Sequence, residues 1–100
     1  MTTQDFAAEI EEAFVAGDWT TVERAASAWR QGSGESVRDP RPAFALNIVH
    51  LLRGEIAQAW TFHAASLAEP EDIERVRAWL NEIRARRGDN GSLHLVMGLF

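Results

Sequence analysis

Two stretches of the chain, AGDWTTVERAA at Ala16 to Ala26 and RGEIAQAWTFH at Arg53 to His63, follow one scheme at a separation of 37 residues. Each sets a Gly, then an acidic residue, then a bulky residue ahead of a run of helix formers, and each follows a segment with helical spacing. Gly ends a helix because it takes the left-handed backbone at little steric cost, and an acidic residue starts the next one by accepting unpaired N–H groups. The scheme predicts helical hairpins with tight Gly turns.

The flanking segments agree. Thr2 and Asp5 make a capping-box-like start, and Phe6, Ile10, Ala13 and Phe14 stand at helical spacing up to about Ala16. Asp18 caps a second helix that carries Trp19, Val22, Ala25, Ala26 and Trp29 and ends before Gly32-Ser33-Gly34. The stretch Gln31 to Pro42 is the one real loop. Asp39 and Pro40 open a third helix in which Phe44, Leu46, Ile48, Val49, Leu51 and Leu52 make the surface apolar almost all round, so it is central or faces a partner. A fourth helix runs from Glu55 to about Ala68 with Ile56, Ala59, Trp60, Phe62 and Leu67. Pro70, Glu71 and Asp72 begin a fifth with Ile73, Val76, Trp79, Leu80 and Ile83, and Arg84, Arg86 and Arg87 before Gly88 suit its C-terminal end. The expected fold is all-α, five helices plus a short C-terminal helix or tail, in one domain over residues 1–100. In the tail, Leu93, Met97 and Phe100 pack inward if it is a shortened helix; the alternation of Leu93, Leu95, Met97 and Leu99 permits a strand instead, and packing is preferred.

Repeated helix, Gly turn and helix resemble the tetratricopeptide family of stacked helical hairpins. Leu46 lies eight residues before Gly54, where that family has a core Leu, and Ala59 lies five after it, where it has a small packing residue. Ser66 and Pro70 match the later small contact and the closing proline, Phe6 and Gly17-Asp18-Trp19 match the first unit, and Leu80 with Gly88-Asp89-Asn90 match a third. Gly54 and Gly88 are 34 residues apart, one family repeat. The departures are a stretched first interval, Val22 in place of a small residue, no closing proline in the first unit and a truncated last helix. The resemblance covers nearly the whole chain and implies a short solenoid of about two and a half units.

In such a solenoid the first helix of each unit lines a concave surface. The residues turned toward it are Gln4, Ala7, Glu11 and Phe14, then Arg41, Phe44, Ile48 and Leu51, then Arg75, Ala78, Glu82 and Arg86. Two neighbouring hairpins cannot cover every apolar side of the third helix, which leaves Phe44, Ile48 and Leu51 for a partner. The tail or a second copy of the chain are the other covers for that groove, so a homodimer is among the expected states.

Chemistry is sparse. With no Cys, thiolate metal sites, disulfides and cysteine nucleophiles are excluded. His50, His63 and His94 lack the spacing that sets two metal ligands on one helical face, so no metal or other cofactor is expected. Glu11-Glu12 and Glu71-Asp72 are adjacent, about 100° apart on a helix, and read as solvated faces and helix starts. Trp19, Trp29, Trp60 and Trp79 stand on amphipathic helices and read as core rather than as stacking platforms. No enzyme is expected.

A net charge of −5 opposes direct nucleic-acid binding. No apolar run is long enough to span a membrane, and acid within the first five residues is unlike a signal peptide, so the expected location is the cytoplasm. All ten basic residues are Arg and Ala is abundant, as in high-GC bacterial or phage genomes. The expected function is a small adaptor or chaperone holding a partner's amphipathic helix or extended peptide in an apolar groove, with Phe14, Arg41, Phe44, Ile48, Leu51, Arg75, Glu82 and Arg86 as its contacts. Residues 1–23 hold six acids and no positive charge. The alternative is therefore an acidic phage or bacterial inhibitor, of the anti-CRISPR kind, that blocks a basic nucleic-acid-binding surface.

Overall fold

The two Gly-acid turns adopt one backbone. At the first, Gly17 has φ +72°, its N–H donates to Phe14 O at 3.3 Å, and the Asp18 N–H donates to Ala13 O at 2.9 Å. At the second, Gly54 has φ +77°, its N–H donates to Leu51 O at 3.1 Å, and the Glu55 N–H donates to His50 O at 2.9 Å. Both are Schellman closures, in which a left-handed Gly lets two orphan carbonyls find donors.

The computed structural model describes residues 3–32, 39–88 and 91–99. Expectations resting on Thr2, on positions 33–38 of the loop, on Asp89 and Asn90 or on Phe100 lie outside the described residues. Those residues form six helices and no strand: α1 Thr3–Ala16, α2 Trp19–Gly32, α3 Pro40–Arg53, α4 Ile56–Ser66, α5 Pro70–Arg87 and α6 Gly91–Leu99. The tail is helical, with Leu93 and Val96 buried. Helix α2 continues through Gln31 and Gly32, which the sequence assigns to the loop. Helix α4 stops at Ser66, short of Ala68, and the chain is extended by Glu69, as a residue preceding proline prefers.

Caps follow the side chains at hand. Asp18 Oδ1 accepts from the Thr21 N–H at 3.2 Å and Asp18 Oδ2 from the Thr21 hydroxyl at 2.6 Å. Asp39 caps α3 by accepting from the Arg41 N–H, with Pro40 in the first turn. Glu55 occupies the same position before α4 without a side-chain cap. Its Oε1 instead lies 2.8 Å from His50 Nδ1 across the turn.

Helix α1 packs on α2, α2 on α3, and α3 most extensively on α4. The later helices reach back: α5 packs on α3 and α6 on α1. The principal extents of 32, 30 and 27 Å are accordingly nearly equal. The shared core takes Phe14 and Ile10 from α1, Val22 and Trp29 from α2, Phe44, Ile48 and Val49 from α3, Val76, Leu80 and Ile83 from α5, and Leu93 and Val96 from α6. Each large side chain so buried contributes about 1.5–3 kcal/mol. Helix α4 places no fully buried residue in that cluster; only its Phe62 leans on it.

Candidate functional site

The concave row expected from the first helix of each hairpin forms in part. Gln4, Ala7 and Glu11 of α1, Arg41 of α3, and Glu82 and Arg86 of α5 line one cleft of about 380 Å³, with Ala8 and Trp79. Its charges are already engaged. Glu11 is only 5% exposed, a correction to its reading as a solvated face. Its Oε2 accepts from Trp79 Nε1 at 3.2 Å, and its Oε1 pairs with the Arg86 guanidinium at 2.8 Å. Arg41 makes a bidentate contact with Asp39 and lies 5.0 Å from the Trp29 ring centroid and 5.8 Å from that of Trp79. A buried carboxylate with an N–H donor and a cation is a tie between α1 and α5. Arg86, expected both at the C-terminal end of α5 and as a partner contact, joins that tie, and its Nε also donates to Glu82 O in α5 at 3.3 Å.

The apolar part of the expected groove is closed. Phe14, Phe44 and Ile48 are fully buried, which corrects the expectation that Phe44 and Ile48 remain available to a partner. The cause is the return of α5 onto α3 and α1: Phe14 meets the Trp79 ring at 5.7 Å, tilted by 52°, so the third helix is central. Arg75 is exposed on α5 and is not part of the cleft lining.

Leu51 belongs to a different site. Together with Asn47 of α3 and Ile56, Ala59, Trp60 and His63 of α4 it lines an apolar pocket of about 340 Å³. Trp60 is 63% exposed and Ile56 52% exposed, so the expectation that all four Trp are core fails at Trp60. Trp60 stands edge-on to His63 at 5.2 Å, which holds the indole at the pocket rim. On the other side of α4, Phe62 is taken up by His50, stacked at 5.5 Å, and by the Arg30 guanidinium 5.0 Å from its ring centroid. One side of α4 is thus satisfied within the chain and the other is left to solvent.

Helical spacing missed this site because it marks Trp60 and Phe62 as equally apolar. The available signal was that Ile56 to Ala68 contains no Asp, Glu, Lys or Arg while its bulky residues run around the helix, so one packing partner cannot cover them all. Among the described residues no three His, Asp or Glu side chains converge as a metal site, and no helix is long and apolar enough to cross a membrane. No protein-family model matches the chain, and neither a curated protein nor a solved structure matches it.

Proposed function

We propose that this chain is a non-enzymatic protein–protein interaction module whose recognition surface is the α3–α4 pocket with the outer face of α4. The observation that carries the reading is the exposure of Trp60 and Ile56 at the mouth of an apolar pocket. Leaving a tryptophan in water forfeits favourable burial, and aromatic residues in such settings dominate the energetics of interfaces. The kinship to tetratricopeptide hairpins is part of the proposal, and its support is the shared Schellman turn at Gly17 and Gly54. The partner that suits the pocket is an apolar or amphipathic helix in an adaptor or chaperone role. Proteins retained from a host lysate by the wild-type chain should be lost with Trp60→Glu and kept with Glu82→Gln in the polar cleft, both variants remaining helical by circular dichroism. Retention of the same proteins by Trp60→Glu would overturn the reading.

The inhibitor alternative draws on a second observation. Glu9, Glu12 and Asp18 border one recess between α1 and α2. Two of these acids already have internal work, Glu9 with Arg24 at 3.2 Å and Asp18 as a cap, so this reading ranks second. It requires partner affinity to fall steeply with salt and to be lost with Glu12→Gln.

A further inference from the structure

We infer that the α3–α4 pocket is closed by α6 of a second copy of this chain, in a two-fold dimer. This rests on the reading of the pocket as a docking surface and names its occupant. Four large hydrophobic residues are exposed among the described residues: Ile56 and Trp60 on α4, and Leu95 and Leu99 on α6, at 45% and 37%. These two helices are also the ones that contain no Asp, Glu, Lys or Arg; α1, α2, α3 and α5 all carry charges. Two chains of net charge −5 repel one another, and the contact that costs least joins their uncharged surfaces.

The shapes also match. Leu95 and Leu99 are four residues apart, hence on one stripe of α6, and that stripe lies on the solvent side of the face that Leu93 and Val96 turn to the core. Two leucines one turn apart make a ridge of the kind that enters a groove between two helices. Within the chain, α6 already packs on the first hairpin, where a Cβ on Gly17 would lie 2.9 Å from Ser92 Oγ. The corresponding turn of the second hairpin is bare, with nothing within 4 Å of a Cβ on Gly54. A two-fold pair makes the contact twice, so each copy contributes both pocket and ridge. Since these four residues are between 37% and 63% exposed, they supply about 400 Å² per copy, half of the roughly 800 Å² per partner of a stable interface, and the uncharged surface of α4 and α6 around them has to supply the rest.

The test starts with molar mass by light scattering across concentration. The expected result is twice 11.2 kDa for the wild type, with dissociation raised at least about 30-fold by Trp60→Glu and likewise by Leu95→Glu. Since the chain has no Cys, Ile56→Cys and Leu95→Cys each introduce a single thiol, and the two variants mixed and oxidised should yield mainly the mixed disulfide. A predominance of the Ile56→Cys homodimer would place α4 against α4 and overturn the proposal. A wild-type chain that stays at 11.2 kDa up to high concentration would also overturn it. In that case the fluorescence of anilinonaphthalene sulfonate decides the underlying reading. Enhancement by the wild type that Trp60→Glu abolishes leaves an apolar docking surface with another occupant, and no enhancement removes the docking surface as well.

Discussion

The hairpins α1–α2 and α3–α4 share a turn and differ in what lies on them. Phe14 and Leu51 hold corresponding positions 37 residues apart, yet Phe14 is sealed beneath Trp79 while Leu51 is only partly buried on a pocket wall. Trp19 and Ile56 follow the two Gly-acid pairs; Trp19 packs against Phe14 at 6.3 Å, and Ile56 is exposed. The same Gly-acid scheme therefore gives matching Schellman turns without giving matching burial. Burial is decided by where α5 and α6 go, and both go to the first hairpin or to α3.

The sharpest way to break this comparison is to truncate the corresponding pair. Phe14→Ala should cost about 3–5 kcal/mol, the usual loss for a fully buried aromatic. Leu51→Ala, on a wall open to water within a single chain, should cost about 1 kcal/mol when measured at concentrations where the chain is dissociated. Urea unfolding with unchanged m-values would measure both. Equal losses in the dissociated chain would mean that the α3–α4 pocket is as closed within one chain as the core beneath Phe14.

Next in size is the tie that holds α5 over the first hairpin. Glu11→Ala leaves the Trp79 N–H buried without its acceptor and should cost about 1–3 kcal/mol. Glu55→Ala, which removes the partner of His50 at the second turn, should cost about 0–1 kcal/mol because that carboxylate is partly exposed. Thermal unfolding of the two variants orders them, and the reverse order would show that the second hairpin depends on its own polar contact more than the first depends on α5.

Much of the fold was legible because helix ends are local events. Gly17, Gly54, Gly88, Asp18, Asp39, Pro40 and Pro70 each act on the backbone within a few residues, and the helices begin and end beside them. The site was less legible because it depends on packing between distant segments. Nothing near Phe44 says that α5 will return to cover α3, and nothing near Glu11 names Trp79, 68 residues away. For the polar cleft, the row implied by the tetratricopeptide resemblance contained Gln4, Ala7, Glu11, Arg41, Glu82 and Arg86, whereas Phe14, Phe44, Ile48, Leu51 and Arg75 of the same row lie elsewhere, because spacing groups residues on one helix and packing decides which helices meet. Trp60 went unread because periodicity marks a residue as apolar and leaves open whether a neighbour exists to bury it.

The turns themselves offer a smaller contrast. Gly17 and Gly54 both hold positive φ, so Ala at either position should cost about 1–2 kcal/mol for the left-handed backbone alone. At Gly17 the new Cβ also meets Ser92 Oγ at 2.9 Å, and turning that hydroxyl away should add about 0.5 kcal/mol. The added cost should vanish when Gly17→Ala is combined with Ser92→Ala. A persistent difference would mean that α6 crowds the first turn by its backbone rather than by this one side chain.

The smallest difference between the turns lies in their caps, and it is read through pH. Two hydrogen bonds from Thr21, the hydroxyl first and the backbone N–H second, hold the Asp18 carboxyl below its ordinary range. A carboxyl whose pKa is lower in the folded chain than in the unfolded one binds protons more readily when unfolded, so it stabilises the fold above the unfolded value, at about pH 4. That contribution is lost as the pH falls further, through the folded value, where the capping carboxylate is protonated in both states. Asp18→Ala should therefore make the acid limb of the stability curve shallower below about pH 4 and lower the stability slightly at neutral pH. Thr21→Val, which removes the stronger of the two bonds and keeps the backbone N–H, should give part of the same flattening. An acid limb that keeps its wild-type slope in both variants would mean that the first turn is held by Gly17 and the covering helix alone, and the two turns would then differ only in what packs over them.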